Sequence, residues 1–230
     1  MSIFEKFKEV KERKDRACIR VGRDPDDVLL MAVTKTHPAS MVNEAIAAGA
    51  TDIGENKAQE LVAKYDEVDS VRWHFIGHLQ TNKVKDIISK VTMIHSLDSE
   101  RLAKEIDKRA GAAGIVMGAL VEINVAMEKS KSGILLDDAE GLVTDIENKY
   151  NNVRVRGLMC VPPISEDPEE SRPYFKEVKT LFDEIRVRRG REGSFDILSM
   201  GMSGDFEVAI EEGSTIVRVG SAIFGPRNYK

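Results

Sequence analysis

The chain has no long uninterrupted hydrophobic segment. None of its apolar runs reaches the roughly 20 residues that a membrane-spanning helix requires. The N-terminal sequence Met1-Ser-Ile-Phe-Glu-Lys also lacks the apolar block found in signal peptides. We therefore expect no membrane association and a cytoplasmic location.

The sequence also has few cysteines and no excess of basic residues. The two cysteines, Cys18 and Cys160, are far apart in the sequence, and in a reducing compartment we expect both to be unpaired, with Cys160 in the core. The 39 acidic residues outnumber the 34 lysines and arginines, and the net charge is −5. This balance gives no support for a general basic surface, so we expect no nucleic-acid partner.

Metal-ligand patterns are also missing. His74 and His78 are four residues apart, a spacing that could ligate a metal on a helix. Here they flank a predicted strand, with no cysteine and no carboxylate triad nearby. We expect no metal site, and we interpret His74 as a packed or hydrogen-bonded core histidine.

What the sequence does contain is a regular alternation of short apolar runs with helical patterns. A first amphipathic helix is predicted at about Ile3–Val21. The runs that follow predict eight strands, at Val28–Thr34, Asp52–Gly54, Arg72–Gly77, Met93–His95, Met117–Asn124, Arg154–Cys160, Asp196–Met200 and Thr215–Val219.

This alternation is typical of βαβ units and a parallel sheet. Eight strands, with helices between them and a helix before the first, indicate a closed (β/α)8 barrel of the TIM type with an extra N-terminal helix. We expect it to form one domain over residues 1–230. An open doubly wound sheet is the alternative, weakened because no dinucleotide-type glycine fingerprint follows the first strand.

In such a barrel the functional mouth lies at the carboxyl ends of the strands. The residues that the first six strands bring there are Lys35, Glu55, Asn56, His78, Gln80, Asn124, Met159 and Cys160.

Lys35 stands out among them because it ends the buried apolar run that begins at Val28. Its side chain would point into the mouth and lose solvation there, which lowers the pKa of an amine and makes it a nucleophile toward an aldehyde. A strand-end lysine that extends its charge to the surface is the alternative.

Two turns rich in glycine and serine follow the last two strands, at residues 199–204 and 220–225. Glycines let backbone N–H groups approach an anion, serines add hydroxyl donors, and helix N-termini add their dipoles. In barrels a phosphate frequently binds at these two loops. Either turn alone could be an ordinary glycine-containing loop, but together they predict a phosphate site.

Arg218 interrupts the last apolar strand. A buried guanidinium needs a partner, which is either a structural ion pair with Asp196 or Glu55 or a ligand heteroatom beside the phosphate. An amine nucleophile, a phosphate site and a buried arginine together indicate pyridoxal phosphate, whose aldehyde, phosphate and pyridine nitrogen need these three partners. An arginine at the pyridine nitrogen would keep it unprotonated and weaken the cofactor as an electron sink.

At these residues the sequence resembles the pyridoxal phosphate homeostasis proteins, whose barrel is like the N-terminal domain of alanine racemase. The resemblance extends from about the first strand to the C-terminus. Its six blocks are Ala32-Val-Thr-Lys35, Ile53-Gly-Glu-Asn56, Trp73-His-Phe-Ile-Gly77, Arg156-Gly-Leu-Met159, Leu198-Ser-Met-Gly-Met-Ser203 and Val217-Arg-Val-Gly-Ser-Ala-Ile-Phe-Gly225.

The resemblance implies that Lys35 holds the cofactor as a Schiff base, that Arg218 faces the pyridine nitrogen and that Asn56 lies beside the ring. The phosphate ligands that it implies are Ser199 or Ser203, together with Gly220 and Ser221. The implied function is to carry or buffer the cofactor without secure catalytic turnover. The implied partners are pyridoxal-phosphate-dependent apoenzymes, and we expect a monomer.

Two enzymatic alternatives stay open. A barrel aldolase would use Lys35 directly on a sugar phosphate. An amino-acid racemase of the alanine racemase type would use Lys35 as one base and would need a second proton donor, which racemases take from a tyrosine of an additional domain. We expect little racemase activity, because no tyrosine stands at a predicted strand end; the four are Tyr65, Tyr150, Tyr174 and Tyr229.

Overall fold

The computed structural model describes residues 1–128, 132–189 and 194–226. Within these ranges, strands and helices alternate as the sequence predicts. The strands are β1 (Leu29–Val33), β2 (Asp52–Glu55), β3 (Arg72–Phe75), β4 (Met93–Leu97), β5 (Met117–Ile123), β6 (Val153–Cys160), β7 (Ile197–Ser199) and β8 (Ile216–Val219). The helices are α1 (Ile3–Arg20), α2 (Ala39–Ala47), α3 (Ala58–Lys64), α4 (Val84–Ile87), α5 (Glu100–Ala112), α6 (Leu136–Lys149), α7 (Arg172–Arg188), α8 (Phe206–Glu211) and α9 (Ser221–Phe224).

The eight strands form one closed barrel in the order β1 to β8. All neighbours are parallel, and β1 closes the barrel by pairing with β8, with Met31 opposite Arg218. The predicted (β/α)8 barrel is therefore confirmed, and the open sheet is excluded. The strand limits differ only at the ends: β4 continues to Leu97, while β7 is a short strand over Ile197–Ser199.

The N-terminal helix α1 lies outside the barrel and starts at a capping box. The Ser2 hydroxyl accepts the N–H of Glu5, and the Glu5 carboxylate accepts the N–H of Ser2. One face of the helix is apolar and buried, and includes Phe7 and Val10. This face packs α1 against α2, α8 and α9, so the helix covers the barrel where its first and last strands meet.

The apolar core has two parts. The larger part lies between the strands and the surrounding helices. The smaller part fills one side of the barrel interior and is formed by Met93, Leu120 and Met159, with Val161 and Ile197 packed against it. Because residues in register on parallel strands point to the same face, the pairing of Met159 with Ser199 places this cluster next to polar interior residues.

Other expectations concern the cysteines, membranes and metals. Cys18 and Cys160 are both free thiols, as predicted, and both are buried. None of the helices in the described ranges is long and apolar enough to cross a membrane. Among the described residues, no three His, Cys, Asp or Glu side chains are grouped so that they could hold a metal ion.

Candidate functional site

A cavity of about 480 Å³ opens at the carboxyl ends of the strands. Six of the seven predicted ligand residues line it, namely Lys35, Asn56, Ser203, Arg218, Gly220 and Ser221. The seventh, Ser199, is fully buried below the cavity, where its hydroxyl contacts Arg218 and His95 instead. The structure thus brings together residues from β1, β2, β8 and the turn after β7.

The strand end that carries Lys35 is fixed by a buried ion pair behind it. Lys64 of α3 donates to a carboxylate oxygen of Glu55 at 2.6 Å and to the backbone carbonyl of Thr34 at 2.9 Å. The Thr34 hydroxyl donates to the same Glu55 oxygen at 2.7 Å. Burial raises the pKa of Glu55, while the contacts with Lys64 and Thr34 oppose that shift. The prediction that Glu55 reaches the mouth is therefore wrong: its side chain points outward, toward α3.

The residue after Lys35 adds a second constraint. Thr36 has a φ of +67°, in the left-handed region that β-branched residues rarely adopt. Its backbone N–H donates to the carboxylate of Glu60, which also pairs with Lys64 at 2.8 Å. Lys35 therefore stands between a residue locked to the barrel wall and a strained turn, and its backbone has little freedom to move away from the cavity.

The turns after β7 and β8 meet at the predicted phosphate site. The Ser203 hydroxyl oxygen accepts the backbone N–H groups of Gly220 at 3.2 Å and Ala222 at 3.3 Å. A Cβ atom added to Gly220 would lie 3.3 Å from the Val33 side chain and carbonyl, which explains why a glycine stands where β8 turns beside β1. Two backbone amide donors that converge on one oxygen atom, here that of the Ser203 hydroxyl, form an arrangement that suits an anionic oxygen.

Arg218 forms the floor of the cavity and is 4% exposed. It donates to the Ser199 hydroxyl at 2.6 Å and to the Cys160 carbonyl at 2.8 Å. The alternative ion pairs do not occur: Asp196 pairs with Arg156, and Glu55 pairs with Lys64. Burial lowers the pKa of Arg218, but a guanidinium stays protonated in proteins, so the floor carries a positive charge.

Two cavity residues carry buried oxygen atoms that have no hydrogen-bond partner within the described structure. They are Oδ1 of Asn56 and Oε2 of Glu122. Burial, with the charge of Asp98 adding to it and that of Arg218 opposing it, raises the pKa of Glu122 to about 7. The sequence prediction missed Glu122. The signal was a charged residue in the otherwise apolar run Met117–Asn124, at an even spacing from Asn124, which also lines the cavity.

The described tyrosines lie away from this site. Tyr65, Tyr150 and Tyr174 do not line the cavity, and Tyr229 falls outside the described residues. A histidine does reach the rim: His37 lines the cavity and stacks on Phe224, with ring centroids 4.9 Å apart. Within the part of the chain that the structure describes, no tyrosine is placed to serve as a second proton donor.

Comparisons with known proteins agree with this architecture. The profile of the alanine racemase N-terminal domain family matches residues 19–228. The pyridoxal phosphate homeostasis protein of Aquifex aeolicus is 44% identical over 231 residues, covering 100% of both chains.

Two solved structures extend the comparison. A crystal structure of an unknown protein from Bifidobacterium adolescentis is 36% identical, with a TM-score of 0.89 over 96% of this chain and 94% of that one. The structure of PipY from Synechococcus elongatus, determined with pyridoxal phosphate bound, is 33% identical, with a TM-score of 0.79 over 94% of this chain and 100% of that one.

Proposed function

The chain belongs to the pyridoxal phosphate homeostasis protein family, and from this premise we propose that it binds pyridoxal 5′-phosphate and carries or buffers it. The observation that supports this function most strongly is the meeting of Lys35, the Ser203–Gly220 turn pair and Arg218 in one cavity. The bound structure of PipY, which is similar over nearly the whole chain, supports the choice of cofactor. Apoenzymes that need the cofactor are the proposed recipients.

The donors and acceptors of the cavity fit this cofactor. The Ser203 hydroxyl can donate its proton to a phosphate while its oxygen accepts the backbone N–H groups of Gly220 and Ala222, and Ser221 lines the same turn. The buried Oδ1 of Asn56, which has no hydrogen-bond partner within the described structure, would offer an acceptor to the cofactor. Arg218 has donors only and therefore suits a pyridine nitrogen that keeps its lone pair. Ser199 would act from below, through Arg218.

When bound, the cofactor supplies an aldehyde that condenses reversibly with a primary amine. Lys35 is the lysine among the residues lining this cavity, and we propose that it holds the cofactor as a Schiff base. The Glu55–Lys64 pair keeps the backbone of Thr34 in place, so the amine of Lys35 is presented without a search through loop conformations. Arg218 would keep its proton and leave the ring a weak electron sink, which would suit storage of the cofactor better than catalytic turnover.

The covalent role of Lys35 is testable by colour and mapping. We expect Lys35→Ala to lose the visible absorbance of the cofactor-loaded protein, because no other lysine remains among the described residues that line the cavity. Borohydride reduction of the wild type should fix the cofactor on the peptide that contains Lys35. Lys57→Ala, at an exposed lysine that precedes α3, is the matched control and should stay yellow. A Lys35→Ala protein that remains yellow after dialysis, with label on another lysine, would show that the assignment is wrong.

A weak racemase is the second candidate, and Glu122 is the observation that favours it. Its carboxyl lines the cavity with a pKa of about 7, a value that suits proton transfer at neutral pH. The test is chiral analysis of L-alanine incubated with loaded protein in deuterated water. Turnover of about 1 per second or faster, lost in Lys35→Ala and in Glu122→Gln, would contradict the carrier function.

A further inference from the structure

A line of hydrogen-bonded side chains crosses the barrel interior below the cavity. It connects Arg218 to Ser199 at 2.6 Å, Ser199 to His95 Nδ1 at 3.2 Å, His95 Nε2 to His74 Nδ1 at 3.0 Å, and His74 Nε2 to Asp52 at 2.9 Å. All five residues, called the interior line below, are at most 4% exposed. The line therefore joins the cavity floor to the opposite end of the barrel.

The lower end of the interior line is an ionised carboxylate. Burial opposes ionisation of Asp52, but hydrogen bonds from His74, Arg72 and Thr51 outweigh it and lower the pKa of this carboxyl group. Arg72 contacts both oxygens of Asp52, at 2.8 and 2.6 Å. Asp52 is therefore an acceptor only, and the nitrogen of His74 that faces it must carry a proton.

The upper end of the interior line, Arg218, can only donate hydrogen bonds. The two ends together therefore determine which atom carries each proton between them. Arg218 donates to the Ser199 oxygen, which leaves the single Ser199 O–H to donate to His95 Nδ1. His95 then carries its proton on Nε2 and donates to His74 Nδ1. His74 carries its proton on Nε2 and donates to Asp52. With both rings neutral, every group of the interior line is satisfied.

Reversing the direction of donation along the interior line gives a less favourable arrangement. It requires a cationic His74, a proton on His95 Nδ1 and a Ser199 oxygen that accepts twice, so that the Ser199 proton loses its acceptor in the line. It also places a positive charge beside Asp52, whose carboxylate already pairs with Arg72. Burial lowers the pKa of His95 well below its usual value, which agrees with a neutral ring.

We propose that Ser199, His95 and His74 are positioning residues that orient the Arg218 guanidinium toward the ligand, with both histidines held as neutral Nε2–H tautomers. The positioning role rests on the proposed function, because Arg218 faces the cofactor only if the cavity binds it. The tautomer assignment does not, because it follows from the cofactor-free protein. If the role of these residues were purely structural, their burial and hydrogen bonds would stabilise the fold. Replacing them would then leave the affinity of the cavity for its ligand unchanged.

The first experiment is ¹⁵N-histidine NMR of the full-length, cofactor-free wild type. We expect His74 and His95 each to show a protonated Nε2 and an unprotonated Nδ1. A proton on Nδ1 of either ring would overturn the assignment. This measurement needs no variant of the interior line. Its result tests the tautomer assignment whether or not the protein binds the cofactor.

The second experiment compares two buried serines. Ser199→Ala removes one of the two acceptors of Arg218 and leaves the Cys160 carbonyl. We expect pyridoxal phosphate to bind roughly tenfold or more weakly, with the His95 Nδ1 resonance moving toward that of a ring nitrogen that has no donor. Ser96→Ala is the control: Ser96 is also fully buried, follows His95 on β4, and has a hydroxyl outside the line. The affinity of Ser96→Ala for pyridoxal phosphate should differ from that of the wild type by less than about twofold. Equal affinities of the two variants, both with native circular dichroism, would overturn the positioning role.

Discussion

Glu122 is the cavity residue whose ionisation works against the folded state. Its pKa is raised from an ordinary 4.5 to about 7, so folding favours the protonated form. The stabilisation is fully present below about 4.5, declines as pH rises, and is lost above about 7.

We therefore predict that Glu122→Gln gains stability relative to the wild type as pH rises from 5 to 8, by about 1–3 kcal/mol in the free energy of unfolding. Urea denaturation of the cofactor-free proteins at both pH values measures it. Glu44→Gln, on the exposed face of α2, is the control and should follow the wild type. If Glu122→Gln has the same pH dependence as the wild type, the carboxyl is ionised without cost.

Most residues that line the cavity could be predicted from their positions after strand ends, and side-chain alternation explains the exceptions. Lys35 and Asn56 line the cavity as predicted. Glu55, one residue before Asn56, points outward because successive strand residues face opposite sides. Ser199 faces the barrel interior but lies below the cavity, while Ser203, in the turn after β7, lines it. Glu122 could not be predicted in this way because it lies within β5 and not after its end.

At the scale of elements, β6 and β7 approach each other too closely for a side chain. Gly157 pairs with Ile197 and has a φ of +151°, and a Cβ atom added there would lie 1.7 Å from the Ile197 carbonyl oxygen. Since the clash is with backbone, the neighbour cannot rotate away. Gly141, on the exposed face of α6, has no atom within 4 Å of an added Cβ.

We predict opposite effects for the same substitution at these two glycines. Gly157→Ala should lower the free energy of unfolding by about 3 kcal/mol or more, because β6 must separate from β7. Gly141→Ala should raise it by about 0.5–1 kcal/mol, because alanine loses less chain entropy in a helix. Chemical denaturation of both variants checks the pair. Similar effects of the two would show that β6 can absorb a methyl group.

The positions of the strands could be predicted because a parallel barrel buries both faces of each strand, and such strands appear as continuous apolar runs. The residues at which the strands end could not be predicted, because they depend on the geometry of the backbone hydrogen bonds between strands. In β7 the pairing stops at Ser199, where the chain turns toward Ser203. In β4 it continues to Leu97, past an irregularity in its pairing with β5.

On the scale of the whole molecule, we propose that the chain folds as one domain, since β1 pairs with β8 and α1 packs on α8 and α9. We predict that fluorescence of Trp73, buried in β3, and far-UV circular dichroism report one coincident urea transition. Phe7→Ala should shift both probes together, at a cost of about 3–5 kcal/mol. Two separated transitions would contradict a single cooperative unit. Sedimentation should show a particle of 25.6 kDa if the chain is a monomer.

Closure of β1 on β8 also affects how the protein behaves in a crowded solution. An open sheet ends in strands with unpaired backbone groups, and such edges can recruit another chain and seed aggregation. In this barrel each of the eight strands has a partner on both sides. Intermolecular strand pairing must therefore wait until the barrel opens, so the rate of aggregation should follow the rate of unfolding more closely than the concentration of native molecules.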